Sequence, residues 1–123
     1  MAIPLTERDV LAGASVLAVA DLAGALGLSI PEALAWLQIS PRTWARRKKV
    51  GHLDQLESDR VARLGRLLHR ATRFAGGPTE ARDWLRTPAR ALARRTPLEV
   101  AATEAGAEEV HRLIGRLEHG VFT

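Results

Sequence analysis

The sequence predicts an all-α protein, a small helical chain with an N-terminal helix-turn-helix and a C-terminal helical region around one long connecting helix. Helix start and stop signals recur along its 123 residues, and no alternating apolar and polar run is long enough for a strand. Only 4% of the residues are aromatic, which leaves little to fill a β-sandwich. The length fits one compact domain, or two small lobes that share a core.

The first apolar run, residues 11–28, is expected to be a helix of a soluble protein. It is rich in Ala and Gly, it is interrupted by Asp21, and the residues before it carry mixed charge. It therefore lacks the pattern of a membrane span or a signal peptide. The chain contains no cysteine, which fits a cytoplasmic protein.

The next segment has the layout of a helix-turn-helix. Ser29 and Glu32 have the spacing of a capping box, which predicts a short helix ending near residue 37. Ser40 followed by Pro41 repeats the start signal, and the second helix is expected to stop at Gly51. Two short helices joined by a tight turn are typical of this motif.

The second of these helices carries the densest positive charge in the chain and its only two lysines. A recognition helix needs cations for phosphate oxygens and forked donors for guanine edges. The residues predicted to contact DNA are Arg42, Thr43, Arg46, Arg47, Lys48 and Lys49. The alternative is a solvated basic helix end that the helix dipole stabilises.

Two residues make this motif irregular. Gln38 stands where a helix-turn-helix usually has the turn glycine, and Trp44 stands where a smaller aliphatic residue normally packs. Weak or oligomer-dependent DNA binding is therefore expected. Trp36 and Trp44 are expected to pack between helices rather than to stack on bases.

The longest helix is expected to open at the capping pair Asp54 and Glu57 and to end at Gly76-Gly77. Its predicted core stripe consists of Val61, Leu64, Leu68 and Ala71. The sequence thus predicts three regions: 1–53 as a DNA-binding helix-turn-helix, 54–77 as a connecting and dimerisation helix, and 78–123 as a C-terminal region.

Shorter helices follow in this C-terminal region. One is expected over about 79–86, before Pro88, and one begins at the capping pair Thr96 and Glu99. The last is expected to run from about Glu104 to residue 119 and to end at Gly120. The apolar residues expected to hold this region together are Trp84, Leu85, Leu92, Leu98, Val100 and the stripe within 110–117.

Two features of the C-terminal region have no evident structural need. Arg90, Arg94 and Arg95 form a second basic cluster that suits an acidic partner, although a solvated loop is the commoner interpretation. Val121 and Phe122 are apolar residues after the last helix. They either enter a cleft of a partner or fold back on their own core.

Nothing in the sequence predicts an enzyme, a cofactor or a metal site. The four histidines are His52, His69, His111 and His119, which lie on different segments or faces. Glu108 and His111 form a single Glu-x-x-His pair, whereas a di-iron site needs two. No phosphate-binding loop or nucleophile elbow is present.

From Gly27 onward, over roughly four-fifths of its length, the chain resembles the Xre/MbcA/ParS family of antitoxins. The resemblance lies in the order and spacing of several short strings. They are ISPRTWARR (39–47), ESDR (57–60), ARDWLRTPARAL (81–92), TPLEV (96–100), TEAGAEEV (103–110) and GRLEHGVFT (115–123). The chain departs from the family at Ala93-Arg94, where a Gly pair is common.

The resemblance implies an antitoxin of a type II toxin–antitoxin module. Its partner would be a RES-domain toxin, which consumes NAD or transfers ADP-ribose, and the C-terminal region would block the toxin's active site. The resemblance also implies a homodimer that binds operator DNA and represses its own operon. The candidate toxin-binding residues are Arg90, Arg94, Arg95, Glu118, His119, Gly120, Val121, Phe122 and Thr123.

Two other functions remain compatible with the residues alone. A helix-turn-helix transcriptional regulator without a toxin partner would need only the basic helix. A helical scaffold that binds no DNA would need neither cluster.

Overall fold

The computed structural model describes residues 13–120, and within that range the protein is all-α, as the sequence predicts. Seven α-helices and one short 3-10 turn account for the regular structure, and no strand forms between residues 13 and 120. The elements are α1 (Val16–Leu26), α2 (Ile30–Leu37), α3 (Pro41–Val50), α4 (Gln55–Ala75), α5 (Pro78–Leu85), the 3-10 turn (Arg90–Leu92), α6 (Pro97–Val100) and α7 (Glu104–Glu118).

Side-chain caps set most of the helix starts. At α2 the hydroxyl of Ser29 accepts the N–H of Glu32 at 3.2 Å, and the Glu32 carboxylate accepts the N–H of Ser29 at 2.8 Å. Thr96 and Glu99 form the same reciprocal pair at α6. Each cap satisfies donors that the first turn would leave open, which stabilises a helix by about 1 kcal/mol. Asp54 and Glu57 make the same two bonds at the start of α4, so all three predicted capping pairs are confirmed.

The chain divides into two compact units, Met1–Arg66 and Leu67–Thr123. The boundary falls inside α4, which therefore supplies its first three turns to one unit and its remainder to the other. The sequence predicts residues 54–77 to be a connecting and dimerisation helix. The structure has one half of that helix in each unit, and its role in dimerisation stays a prediction.

The N-terminal unit has a core drawn from α1, α2, the start of α4 and the segment just before α4. Its largest fully buried side chains are Val19, Leu26, Leu37, Leu53, Val61 and Leu64. The recognition helix predicted by the sequence, α3, contributes no buried residue. It is attached to the unit by other means.

The C-terminal unit packs α5, the 3-10 turn, α6 and α7 on the second half of α4. Its buried apolar side chains include Leu67, Leu68, Ala71, Leu85, Leu92, Leu98, Val110, Leu113 and Ile114. Trp84 is half-buried and meets Phe74 edge to face, with ring centroids 5.3 Å apart. The core stripe predicted for α4 is buried throughout.

No described helix is by itself long and apolar enough to cross a membrane. Helices α1 and α2 reach the required length and apolar content only when they are taken together, and the chain bends by 111° at the break between them.

Candidate functional sites

Helix α3 begins after an N-terminal capping serine and ends at a left-handed glycine. The Ser40 hydroxyl accepts the backbone N–H of Thr43 at 3.1 Å and donates to the Thr43 hydroxyl at 3.0 Å. At the other end Gly51 adopts a left-handed conformation, φ 90°, and its N–H bonds the carbonyl of Arg47. The basic segment is therefore a capped helix of ten residues.

The six residues predicted to contact DNA do not share one environment. Arg42, Arg46 and Lys49 are exposed, and with Ala45 they follow the spacing of a single helix face. The small Ala45 side chain leaves that face open to close approach. Thr43 is half-buried at the helix start, where its hydroxyl also accepts from Arg46 at 3.4 Å.

The other side of α3 borders α2 across an apolar groove. Lys48 lies over the Trp44 ring, with its ammonium 6.0 Å from the ring centroid. The groove has a volume of about 480 Å³, and its lining consists of Ile30, Pro31, Leu34, Ala35, Ile39, Pro41, Trp44 and Lys48. Trp44 thus lines the groove between α2 and α3, and Trp36 is covered by the guanidinium of Arg63 at 5.5 Å.

Arg47 points toward α4. Its Nε donates to Glu57 Oε1 at 2.8 Å, and its Nη2 donates to Glu57 Oε2 and to Asp54 Oδ2, both at 3.2 Å. The hydrogen bond with Glu57 raises the pKa of Arg47 above its ordinary value. The structure therefore separates Arg47 from the exposed face that the other arginines of α3 form.

The first turns of α4 bond three different parts of the N-terminal unit. Glu57 binds Arg47 of α3, and the Ser58 hydroxyl, which is fully buried, accepts the N–H of Ala14 at 2.8 Å. Arg60 donates to the carbonyl of Leu37, the last residue of α2, at 3.2 Å. The string ESDR marks these residues in the sequence, but no local pattern reveals their partners.

The predicted basic cluster of the C-terminal unit lies on one closed loop. The N–H of Ala89 bonds the carbonyl of Arg95 at 3.0 Å, and the N–H of Arg94 bonds the carbonyl of Ala89 at 2.9 Å. Leu92 is 4% exposed and anchors the loop. Arg90, Arg94 and Arg95 are all exposed on it.

The remaining candidate residues lie at the end of α7. Glu118 pairs with Arg70 of α4 at 3.2 Å, and the same guanidinium bonds Nδ1 of His111 at 3.2 Å. His119 and Gly120 are exposed after the helix. Val121, Phe122 and Thr123 lie outside the described residues. Between residues 13 and 120, no three His, Asp or Glu side chains are grouped as metal ligands.

Two family models match nearly the whole chain. Residues 6–66 match the antitoxin Xre-like helix-turn-helix domain, and residues 70–120 match the antitoxin Xre/MbcA/ParS C-terminal toxin-binding domain. Fold and matches together define the class: a helix-turn-helix antitoxin of a toxin–antitoxin system.

Curated relatives give the same result. The chain is 42% identical over 102 residues to an Antitoxin Xre of Yersinia enterocolitica, which covers 80% of this chain and 69% of the relative. It is 38% identical over 92 residues to an Antitoxin Xre of Photorhabdus laumondii, covering 73% of this chain and 61% of that relative. The chain belongs to the Xre/MbcA/ParS antitoxin family.

A solved structure has a similar fold. It is the crystal structure of the M. tuberculosis MbcT–MbcA toxin–antitoxin complex, with a TM-score of 0.62 and 27% sequence identity. The match covers 88% of this chain and 98% of that one.

Proposed function

We propose that this antitoxin neutralises a RES-domain toxin by covering its active site with residues of the C-terminal unit. The match of residues 70–120 to a toxin-binding domain carries the proposal. The MbcT–MbcA complex, in which a chain of similar fold is held with a toxin, also supports it. The toxin is expected to consume NAD or to transfer ADP-ribose.

The loop from Ala89 to Arg95 is the part of this unit best suited to contact the toxin. Its backbone hydrogen bonds fix its shape, so little conformational entropy is lost when a partner binds. Three exposed guanidiniums on a rigid frame favour an acidic surface, because charge-assisted hydrogen bonds to carboxylates are strong. Residues 118–123 are proposed to complete the contact.

Co-expression with a RES-type toxin encoded beside the antitoxin gene tests this function. Wild-type antitoxin should restore growth and co-purify with the toxin. Changing Arg90, Arg94 and Arg95 to Glu should weaken both effects. A matched control changes Arg42, Arg46 and Lys49 to Glu, the same charge reversal in the N-terminal unit, and should leave neutralisation intact. Absence of any complex would leave a regulator without a toxin partner as the better function.

Removal of Val121 to Thr123 tests the contribution of the C-terminal end. If these residues enter the toxin, the shortened protein should keep its melting temperature and lose part of its neutralising activity. Unchanged neutralisation would assign toxin binding to the loop and the end of α7.

We also propose that the exposed face of α3 binds operator DNA and that the antitoxin represses its own operon as a homodimer. Arg42 and Arg46 present forked donors on an open helix face, next to the small Ala45. A dimer would place two such helices on half-sites about one helical turn apart.

Promoter-fragment binding at several salt concentrations tests the DNA contact. Each phosphate-binding cation should contribute roughly one unit to the salt slope. Arg46→Ala should weaken binding and, if Arg46 binds phosphate, flatten the slope. Asp21→Asn, an exposed change of equal charge size on α1, serves as the control. Equal operator affinity of wild type and Arg46→Ala would contradict the assignment of α3 as the DNA-binding helix. The dimer is tested separately, by sedimentation of the free and the DNA-bound protein.

A further inference from the structure

Helix α3 is held to its unit in an unusual way. It contributes no buried side chain, so the hydrophobic burial that normally fixes a helix is small here. On its inner side Trp44 is half-buried beside α2, and Arg47 reaches α4. Backbone bonds hold the C-terminal end of α3, where the Gly51 carbonyl accepts the N–H of Val16 at 3.1 Å. Along the helix itself, Trp44 and Arg47 make the inward contacts.

The contact with α4 is a fixed geometry rather than a loose ion pair. Two nitrogens of Arg47 meet the two oxygens of Glu57, and such forked pairing fixes orientation as well as distance. The Glu57 side chain is only 9% exposed. It also accepts the N–H of Asp54 at 3.0 Å, so the same carboxylate caps α4.

Neighbouring residues show that the start of α4 organises the motif. Ser58 holds the chain before α1, and Arg60 holds the end of α2. Glu57 supplies the corresponding bond to α3. The bonds to Glu57 and Asp54 also engage Nε and Nη2 of Arg47, two donors that phosphate groups would otherwise attract.

We propose that Glu57 and Arg47 are positioning residues, which orient the recognition helix for DNA, and that Arg47 does not itself contact the phosphate backbone. This inference rests on the proposed DNA binding by α3. It assigns a function in DNA recognition to an acidic residue, although a carboxylate near DNA should by charge alone oppose binding.

Loss of this charge and loss of positioning therefore change operator affinity in opposite directions, so one substitution distinguishes them. Glu57→Gln removes one negative charge and keeps an oxygen for the cap on Asp54. If Glu57 positions α3, operator affinity should fall, by about tenfold. If Arg47 is an ordinary phosphate contact, the same change releases it and affinity should rise. Asp59→Asn removes an equal charge from an exposed position on α4 and should leave affinity unchanged or slightly higher.

A double-mutant cycle separates the two functions of Arg47. Arg47→Ala should weaken binding in the wild-type protein and have almost no further effect in the Glu57→Gln protein, because the pair acts as one unit. A full additional loss in that background would overturn the proposal. The salt slope of Arg47→Ala should equal that of wild type, and a slope reduced by roughly one would show a phosphate contact.

Hydrogen exchange in the free protein tests, without DNA, whether Glu57 holds α3 in place. The amides of α3 should exchange faster in Glu57→Gln, while those of α7 stay unchanged. Equal exchange of the α3 amides in both proteins would overturn the proposal, even if some variants were too unstable for DNA measurements. If wild type and Arg46→Ala bind operator equally, the proposed function of α3 has failed, and the exchange rates still show whether Glu57 holds this helix.

Discussion

Three residues between 13 and 120 other than glycine hold left-handed backbone angles: Gln38 at φ 59°, Ala93 at 56° and Arg94 at 65°. For an L-residue this region costs roughly 1–2 kcal/mol, because Cβ approaches the following carbonyl. Gln38 lies at the turn of the helix-turn-helix, and Ala93 and Arg94 lie in the basic loop. At both places the sequence has another residue where a glycine is expected. The backbone nevertheless adopts the left-handed angles that glycine favours.

Replacing Ala93 by Gly should therefore stabilise the protein by up to about 1 kcal/mol, since glycine adopts the left-handed region without strain. Ala91→Gly is the matched control, two residues earlier on the same loop and inside the 3-10 turn. At that position glycine relieves no strain and only raises the backbone entropy of the unfolded chain. The free energy of unfolding should therefore fall by roughly 0.5–1 kcal/mol. Urea unfolding measures both, and shifts of the same sign would contradict the assigned strain.

Gly106 makes the closest backbone approach among the described glycines. A Cβ on this residue would lie 2.8 Å from the carbonyl carbon of Val100 and overlap its oxygen. Gly106→Ala should therefore force α6 and α7 apart and destabilise the protein by about 3 kcal/mol. At Gly24 of α1 the added Cβ meets nothing within 4 Å. Gly24→Ala should stabilise by roughly 0.4–1 kcal/mol, and thermal unfolding compares the two.

At the scale of the element, local signals in the sequence were sufficient to locate the helices. The ends of these helices are set by residues close together in the chain, so the sequence alone predicts them. Examples are the capping pairs at Ser29 and Thr96 and the glycines at 51 and 76. The start of α5 was less visible, because Gly77 provides no side-chain cap and Pro78 begins the helix. The 3-10 turn at Arg90–Leu92 has no such signal.

The orientation of the basic helix could not be obtained in this way. Charge alone groups Arg47 with Arg46, but the helix places them on different faces, and only the folded chain brings Glu57 to Arg47. The sequence therefore predicted the location of a candidate DNA-binding helix, and the structure shows which of its cations remain exposed. The same limit applies to Arg70, whose bonds to His111 and Glu118 join residues more than 40 positions apart.

Helix α6 has only four residues and depends on its capping box. The backbone and side-chain hydrogen bonds from Thr96 lower the pKa of Glu99 from its ordinary value of 4.5. A lowered carboxylate pKa contributes stability above 4.5, and this contribution is lost as the pH falls through the folded-state value. Glu99→Gln should therefore reduce stability at neutral pH and flatten its loss below about pH 4.5. Parallel acid unfolding curves for the two proteins would show that the cap is not charge-dependent.

The whole molecule concentrates its positive charge in two segments. Residues 42–49 and 86–95 contain nine of the 18 Lys and Arg residues and none of the 14 acidic ones. The rest of the chain is therefore acidic, with nine cations against 14 acids. The net charge of +4 thus describes two basic surfaces, one in each compact unit, rather than a uniformly basic protein.

This distribution predicts how salt affects the proposed partner. If the loop from Ala89 to Arg95 steers an acidic toxin, the association rate should fall by about tenfold or more between low and high salt, with little change in the dissociation rate. Replacing the three loop arginines by Ala should flatten that dependence. The control replaces Arg66 and Arg73, two exposed arginines of α4 outside both segments, and should retain most of it. Surface-plasmon kinetics measures both rates, and a salt-independent association rate in wild type would assign toxin recognition to apolar residues, because screening acts on charges and leaves apolar burial almost unchanged.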